Sequence, residues 1–260
     1  MKHTSALIIA FLLIVGTSVN AQKMDAKSKE LLDRLTEVNG GYQTLLDAKD
    51  VYFKYSSEGN GKKEKNSIEK HIFSGEHSLS EYKGAYKKEE GIIKKALVNG
   101  EGMLSVNGKV FTDRKSKNAA TFNSRITFYW FAMSYKLFDP STIFSYLGKE
   151  ILKGVELDKV KMVFDNSKTE KKANDEYLLY FNPETHLLDA FVFSKTGGDV
   201  IKEPKSRVFV TYESIEGVFV PVKRDTYKLD ENKQWCKKAK FIISDVKFNN
   251  GYKPEDFMLK

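Results

Sequence analysis

One cysteine, Cys236, stands in 260 residues. No internal disulfide can form, so the fold must hold by its core. A lone cysteine in an exported chain can bridge to a second chain, but Cys236 sits in a strand-like run and reads as a free thiol. Histidine is scarce: His3, His71, His77 and His186. Read along one extended run, His71 and His77 lie roughly 20 Å apart, too far to share a metal. None of the four has metal-ligand spacing, so no metal or cofactor is expected.

Catalytic motifs are also missing. There is no Gly-x-Ser-x-Gly, and Gly100-Glu-Gly102 lacks the third glycine of a dinucleotide fingerprint. Ser67-Ile-Glu-Lys70 and Lys195-Thr-Gly197 match two short elements of penicillin-recognising enzymes. The third element, Ser-Asp-Asn, is absent, and Ser67 precedes a strand-like stretch where the motif needs a helix. No catalytic residue is assigned. The chain reads as a binder, not an enzyme.

Only one long apolar run exists, Ala6 to Val15. It follows the positive Lys2 and precedes small residues up to Ala21, the order of a secretory signal peptide. The run is too short for a membrane span, which needs about 20 apolar residues. Residues 1–21 are therefore expected to be a cleaved signal peptide. Residues 22–260 are expected to be one exported domain, periplasmic or secreted and monomeric. With no cysteine near the cut, a lipid anchor is excluded.

The formal charge is +8, from 43 Lys and Arg against 35 Asp and Glu. Lysine clusters such as Lys87-Lys88 and Lys237-Lys238 mostly have acids nearby. No zinc-finger spacing or RNA-binding aromatic signature accompanies them, so nucleic acid is not an expected partner. They read as solvated strand edges and loops. Peripheral contact with an anionic membrane surface fits the same charge.

Helical spacing of Leu31, Leu32, Leu35 and Val38 predicts a helix from Lys23 to Val38, stopped by Gly40-Gly41. After Asp50 the period changes to that of strands. Asn99-Gly100 and Asn107-Gly108 predict two tight hairpins and a three-stranded meander. Asn123 to Phe138 breaks the pattern. Phe128, Phe131, Tyr135 and Phe138 fit a helical face, with Asp139-Pro140 as a stop. Strands resume at 155–164, 177–181, 187–193, 207–212, 218–227 and 239–248, separated mostly by turn residues. The fold class is mainly β (α+β). One large curled antiparallel sheet, open-barrel-like, wraps around the N-terminal helix and the aromatic helical segment.

Tyr180-Phe-Asn-Pro-Glu-Thr-His-Leu-Leu-Asp189 resembles a strand-turn-strand of the outer-membrane lipoprotein carriers (LolA/LolB-like proteins). Val246 to Phe257 resembles their closing strand and tail. Phe128-Tyr-Trp-Phe131 to Pro140, with Tyr146-Leu-Gly148, resembles an exported Bacteroidota family known only as a domain of unknown function. The resemblance covers most of the chain after Ala21. It implies an open sheet around a helix, an apolar cavity for acyl chains and a role in the envelope.

Two readings stand. In the first, a lipid or acylated protein enters between sheet and helices, bound by Phe128, Trp130, Phe131, Tyr135, Phe138, Leu31 and Leu35. In the second, these residues fill a core, and the outer surface binds an envelope protein. The two differ in whether the helices leave a cavity.

Overall fold

The structure, a computed structural model, describes residues 23–59, 65–169 and 174–259. The expected signal peptide, residues 1–21, lies outside them.

The chain opens with a two-residue strand, β1 (Lys23–Met24), and helix α1 (Ala26–Asn39). The helix starts later than its apolar spacing predicts. Asp25 caps it by accepting the Ser28 N–H at 2.8 Å, which leaves Lys23 and Met24 free to pair with Ile143 and Phe144. Gly40 ends α1 in the left-handed region, φ 74°, where a side chain would be strained. A short helix, α2 (Gly41–Asp47), follows.

Six strands come next: β2 (Asp50–Gly59), β3 (Lys65–Ile72), β4 (His77–Tyr86), β5 (Glu89–Val98), β6 (Glu101–Val106) and β7 (Lys109–Phe111). Both Asn-Gly pairs adopt the predicted positive φ, 49° and 79° at Asn99-Gly100 and 48° and 83° at Asn107-Gly108. Those angles twist each hairpin with its strands and build the meander β5–β6–β7.

Helix α3 (Arg114–Ala132) then crosses β5 and β6. It begins well before the predicted Asn123, because Asp113 caps it by accepting the Ser116 N–H at 3.1 Å. It also ends earlier, passing into a 3₁₀ turn at Met133–Tyr135. Ser116, Ala120 and Ser124 are its buried residues in the first half. Their small side chains let the helix lie close on the sheet. A Cβ on Gly102 would come within 2.4 Å of the Lys117 carbonyl oxygen.

Seven strands complete the chain: β8 (Thr142–Leu152), β9 (Val155–Phe164), β10 (Tyr177–Phe181), β11 (Leu188–Ser194), β12 (Pro204–Ile215), β13 (Val218–Leu229) and β14 (Trp235–Phe248). β8 escapes sequence reading because a register shift between Tyr146 and Lys149 breaks its alternation.

The strands form one sheet in the order β1-β8-β9-β10-β11-β12-β13-β14-β2-β3-β4-β5-β6-β7. It is open, and mixed in place of purely antiparallel, since β1 runs parallel to β8. Two apolar clusters lie between sheet and helices. One joins Leu31, Leu32 and Leu35 of α1 to residues of β8–β12, among them Phe144, Leu179 and Phe191. The other joins Leu45 of α2, and Phe128 and Phe131 of α3, to Val51, Phe53, Val220 and Ile243.

Candidate functional site

The two clusters meet where α3 becomes the 3₁₀ turn. Trp130 stacks on Phe191, centroids 5.3 Å apart, and packs against the first cluster. Phe131 stacks on Phe53 at 5.2 Å in the second. Consecutive residues on a helix point about 100° apart, so this pair spans both halves of the interior.

Polar bonds fix the same stretch of backbone. Arg224 on β13 donates from Nη1 to the Trp130 carbonyl at 2.9 Å and from Nη2 to the Tyr55 hydroxyl at 3.0 Å. Its guanidinium lies over the Trp130 ring, 5.3 Å from the centroid. Asn39, at the end of α1, donates to the Ser134 carbonyl at 3.3 Å. Tyr135 donates to the Phe219 carbonyl at 3.2 Å and accepts the Phe219 N–H at 2.8 Å. Burial pushes its phenol up to about 12.

Between these groups lies a narrow cleft lined by Trp130, Phe131, Met133, Phe191, Val210 and Arg224, among others. Its free volume is about 10 Å³, roughly the least that holds one water. As it stands, the cleft is too small for an acyl chain.

Of the residues singled out from sequence, Trp130 and Phe131 line the cleft. Phe128, Phe131 and Tyr135 lie in the second cluster, Leu31 and Leu35 in the first. Phe138 departs from the set. It falls beyond α3 and its turn and is 40% exposed. Phe191, Val210 and Arg224 escape sequence reading because they come from separate strands. The one signal for Arg224 is a charge inside a run of strand residues.

The histidines also need correcting. His71 and His77 occupy the facing strands β3 and β4, with Ile72 opposite His77, so the distance along one strand does not apply. His71 Nδ1 shares a hydrogen bond with Ser78 Oγ at 2.8 Å, and its ring meets Phe128 edge-on at 5.4 Å. Full burial pushes its pKa down to about 3. Ser67 lies on β3, its hydroxyl bonded to Glu69, as befits a strand and not a helical nucleophile. Among the described residues, no group of three or more His, Cys, Asp or Glu is placed to hold a metal ion. No described helix is long and apolar enough to cross a membrane.

The model of a family of unknown function, DUF6503, matches residues 5–247. The chain belongs to that family. Comparison with curated proteins gave no match. Among solved structures, this DUF6503 chain is similar to a DUF1329 family protein from Desulfovibrio piger, with a TM-score of 0.55 at 12% identity, covering 89% of this chain and 98% of that one. It is also similar to a domain assigned to outer membrane lipoprotein sorting, from Vibrio parahaemolyticus, with a TM-score of 0.54 at 9% identity, covering 88% and 94%. A LolA superfamily protein from Nitrosomonas europaea gives a TM-score of 0.51 at 9% identity, covering 88% and 96%. At such identities the likeness is one of fold. The DUF6503 chain has the open, curled sheet and covering helices of the LolA superfamily.

Proposed function

We propose that this protein is exported, loses residues 1–21, and as a single domain binds the apolar chain of a lipid or acylated protein. The ligand lies between the sheet and the helices α1 and α3. The observation that carries this reading is the cleft at Trp130, which runs between two apolar clusters beneath hydrogen-bonded helix ends. The protein acts as a carrier or sensor and performs no covalent chemistry.

A cleft this small is what a ligand-free carrier needs. An empty cavity costs about 24 cal/mol per Å³, so even roughly 100 Å³ of vacant space would cost about 2 kcal/mol. The helices therefore settle onto the sheet until a chain displaces them. Burying that chain returns about 25 cal/mol per Å² of apolar surface.

The second reading rests on the same small volume, about 10 Å³. A core filled this well also suits a module that binds an envelope protein by its outer surface and takes no ligand. Native mass spectrometry on protein released gently from a bacterial envelope, followed by organic extraction, separates the two. A reproducible bound lipid or acyl species supports the carrier. A bare polypeptide mass from every preparation overturns it in favour of the module.

A further inference from the structure

Arg224 is 5% exposed, and among the described residues it has no ion pair. Its two hydrogen bonds go to neutral acceptors, the Trp130 carbonyl and the Tyr55 hydroxyl. The neighbouring acid does not serve it. Asp225 pairs with Lys223 and Lys237, and alternation along β13 turns it to the other face of the sheet.

The carboxylates of the inner face bond other groups: Asp158 accepts from the Tyr146 hydroxyl and Asp189 from the Asn182 side chain, each at 2.7 Å. Phe53, Glu69, Ser80, Lys95 and Leu104 are cross-strand partners in succession, so they share the face beneath α3. Glu69 Oε1 accepts from Ser67 Oγ at 2.6 Å and from Ser80 Oγ at 2.8 Å. Burial lowers the Lys95 pKa, and Glu69 is the first charge that opposes this. Glu69 is bonded to these serines and not to Arg224, so among the described residues the guanidinium has no acid within ion-pair distance.

A buried cation without a counter-ion is costly, and a closely bonded anion offsets the cost. Among the described residues, Arg224 is also the one charged group lining the cleft. Its planar fork of donors suits a carboxylate or phosphate. Trp130, Phe131 and Phe191 flank it with apolar wall.

We propose that the ligand is an amphiphile with an anionic head, a carboxylate or a phosphate, and that Arg224 with Tyr55 receives the head while the chain lies along Trp130, Phe131 and Phe191. This assignment rests on the carrier reading above and names the class of its ligand.

The test uses protein expressed from its full-length sequence, carrying Trp235→Phe so that Trp130 alone reports. Decanoate, decyl phosphate and decanol, which share one chain length, are titrated against its fluorescence. At least one anionic probe is expected to bind about tenfold more tightly than decanol, and the better of the two identifies carboxylate or phosphate. Arg224→Gln is expected to abolish that preference, read as the ratio of anion to decanol affinity within the same variant. If Arg224→Gln does not fold, Arg224→Lys takes its place and is expected to lower the preference at least threefold, since an ammonium lacks the fork. Equal binding of decanol and both anions overturns the head assignment alone, as does a preference that survives substitution. Binding of none of the three overturns the carrier reading together with it.

Discussion

Arg224 donates a hydrogen bond to the main-chain oxygen of Trp130, ninety-four positions away, and so ties β13 to the last turn of α3. That carbonyl belongs to the C-terminal turn of the helix, where oxygens lack partners within the helix. A cation there also answers the negative end of the helix dipole. Arg224→Met should therefore destabilise the protein by about 1.5–3 kcal/mol, the range for a hydrogen bond from a charged group. Urea unfolding measures the loss. Quenching of Trp130 by acrylamide should rise in the same variant, with Trp235→Phe as background. Unchanged quenching would mean that the bond does not hold the helix end.

Two phenylalanines from one aromatic run should behave in opposite ways. Phe131 is 2% exposed and meets Phe53, Phe73 and Phe248, whereas Phe138 is 40% exposed. Phe131→Ala should cost about 3–5 kcal/mol, since it removes a ring and leaves a cavity. Phe138→Ala should stay within about 0.5 kcal/mol of the parent. Parallel urea melts decide the matter. Similar losses in both would contradict the environments described here.

Asp50 holds the chain's end. Its carboxylate accepts the N–H groups of Asn250, Gly251 and Tyr252 at 2.7, 2.9 and 3.0 Å, and the Asn250 side chain at 2.9 Å. This anchors the segment that places Phe257 in a cluster with Ile72, Leu79, Ala96 and Val98. Asp50→Ala leaves these donors without their acceptor and should cost about 3 kcal/mol, at the upper end for unsatisfied buried groups. Hydrogen exchange should quicken at Asn250, Gly251 and Tyr252 first. Uniform quickening across the sheet would point to a global effect and not to a released tail.

How far the sequence reveals this molecule depends on how local each signal is. The Asn-Gly turns are legible because a two-residue hairpin needs positive φ, and Asn99-Gly100 and Asn107-Gly108 supply it. The first half of α3 is not, because its buried side is Ser116, Ala120 and Ser124, small residues with no hydropathy rhythm. The cleft is half legible. Trp130 and Phe131 announce themselves in an aromatic run, but Phe191, Val210 and Arg224 reach it from three strands. Their register includes a shift between Thr211 and Glu213 that alternation alone does not reveal. The LolA-like fold comes through because it resides in turns and order, whereas a ligand site resides in convergence.

The pH response should be set in part by His71. Its folded pKa is pushed down to about 3 by burial, against 6.5 for the free side chain. In the unfolded chain the ring takes up a proton near pH 6.5, while in the folded protein it stays neutral. The unfolded state thus binds more protons throughout this window, so stability is complete above pH 6.5 and falls as pH drops towards 3. Between pH 7.5 and 4.5 this one ring should remove about 2.5 kcal/mol of stability. His71→Gln removes the titration and keeps a polar group opposite Ser78. Urea melts at the two pH values should show a loss in the parent that exceeds the variant's by that amount. Equal losses would mean that the His71 ring is protonated alike in the folded and unfolded chains, contrary to its enclosure between Phe53, Phe128 and Phe131.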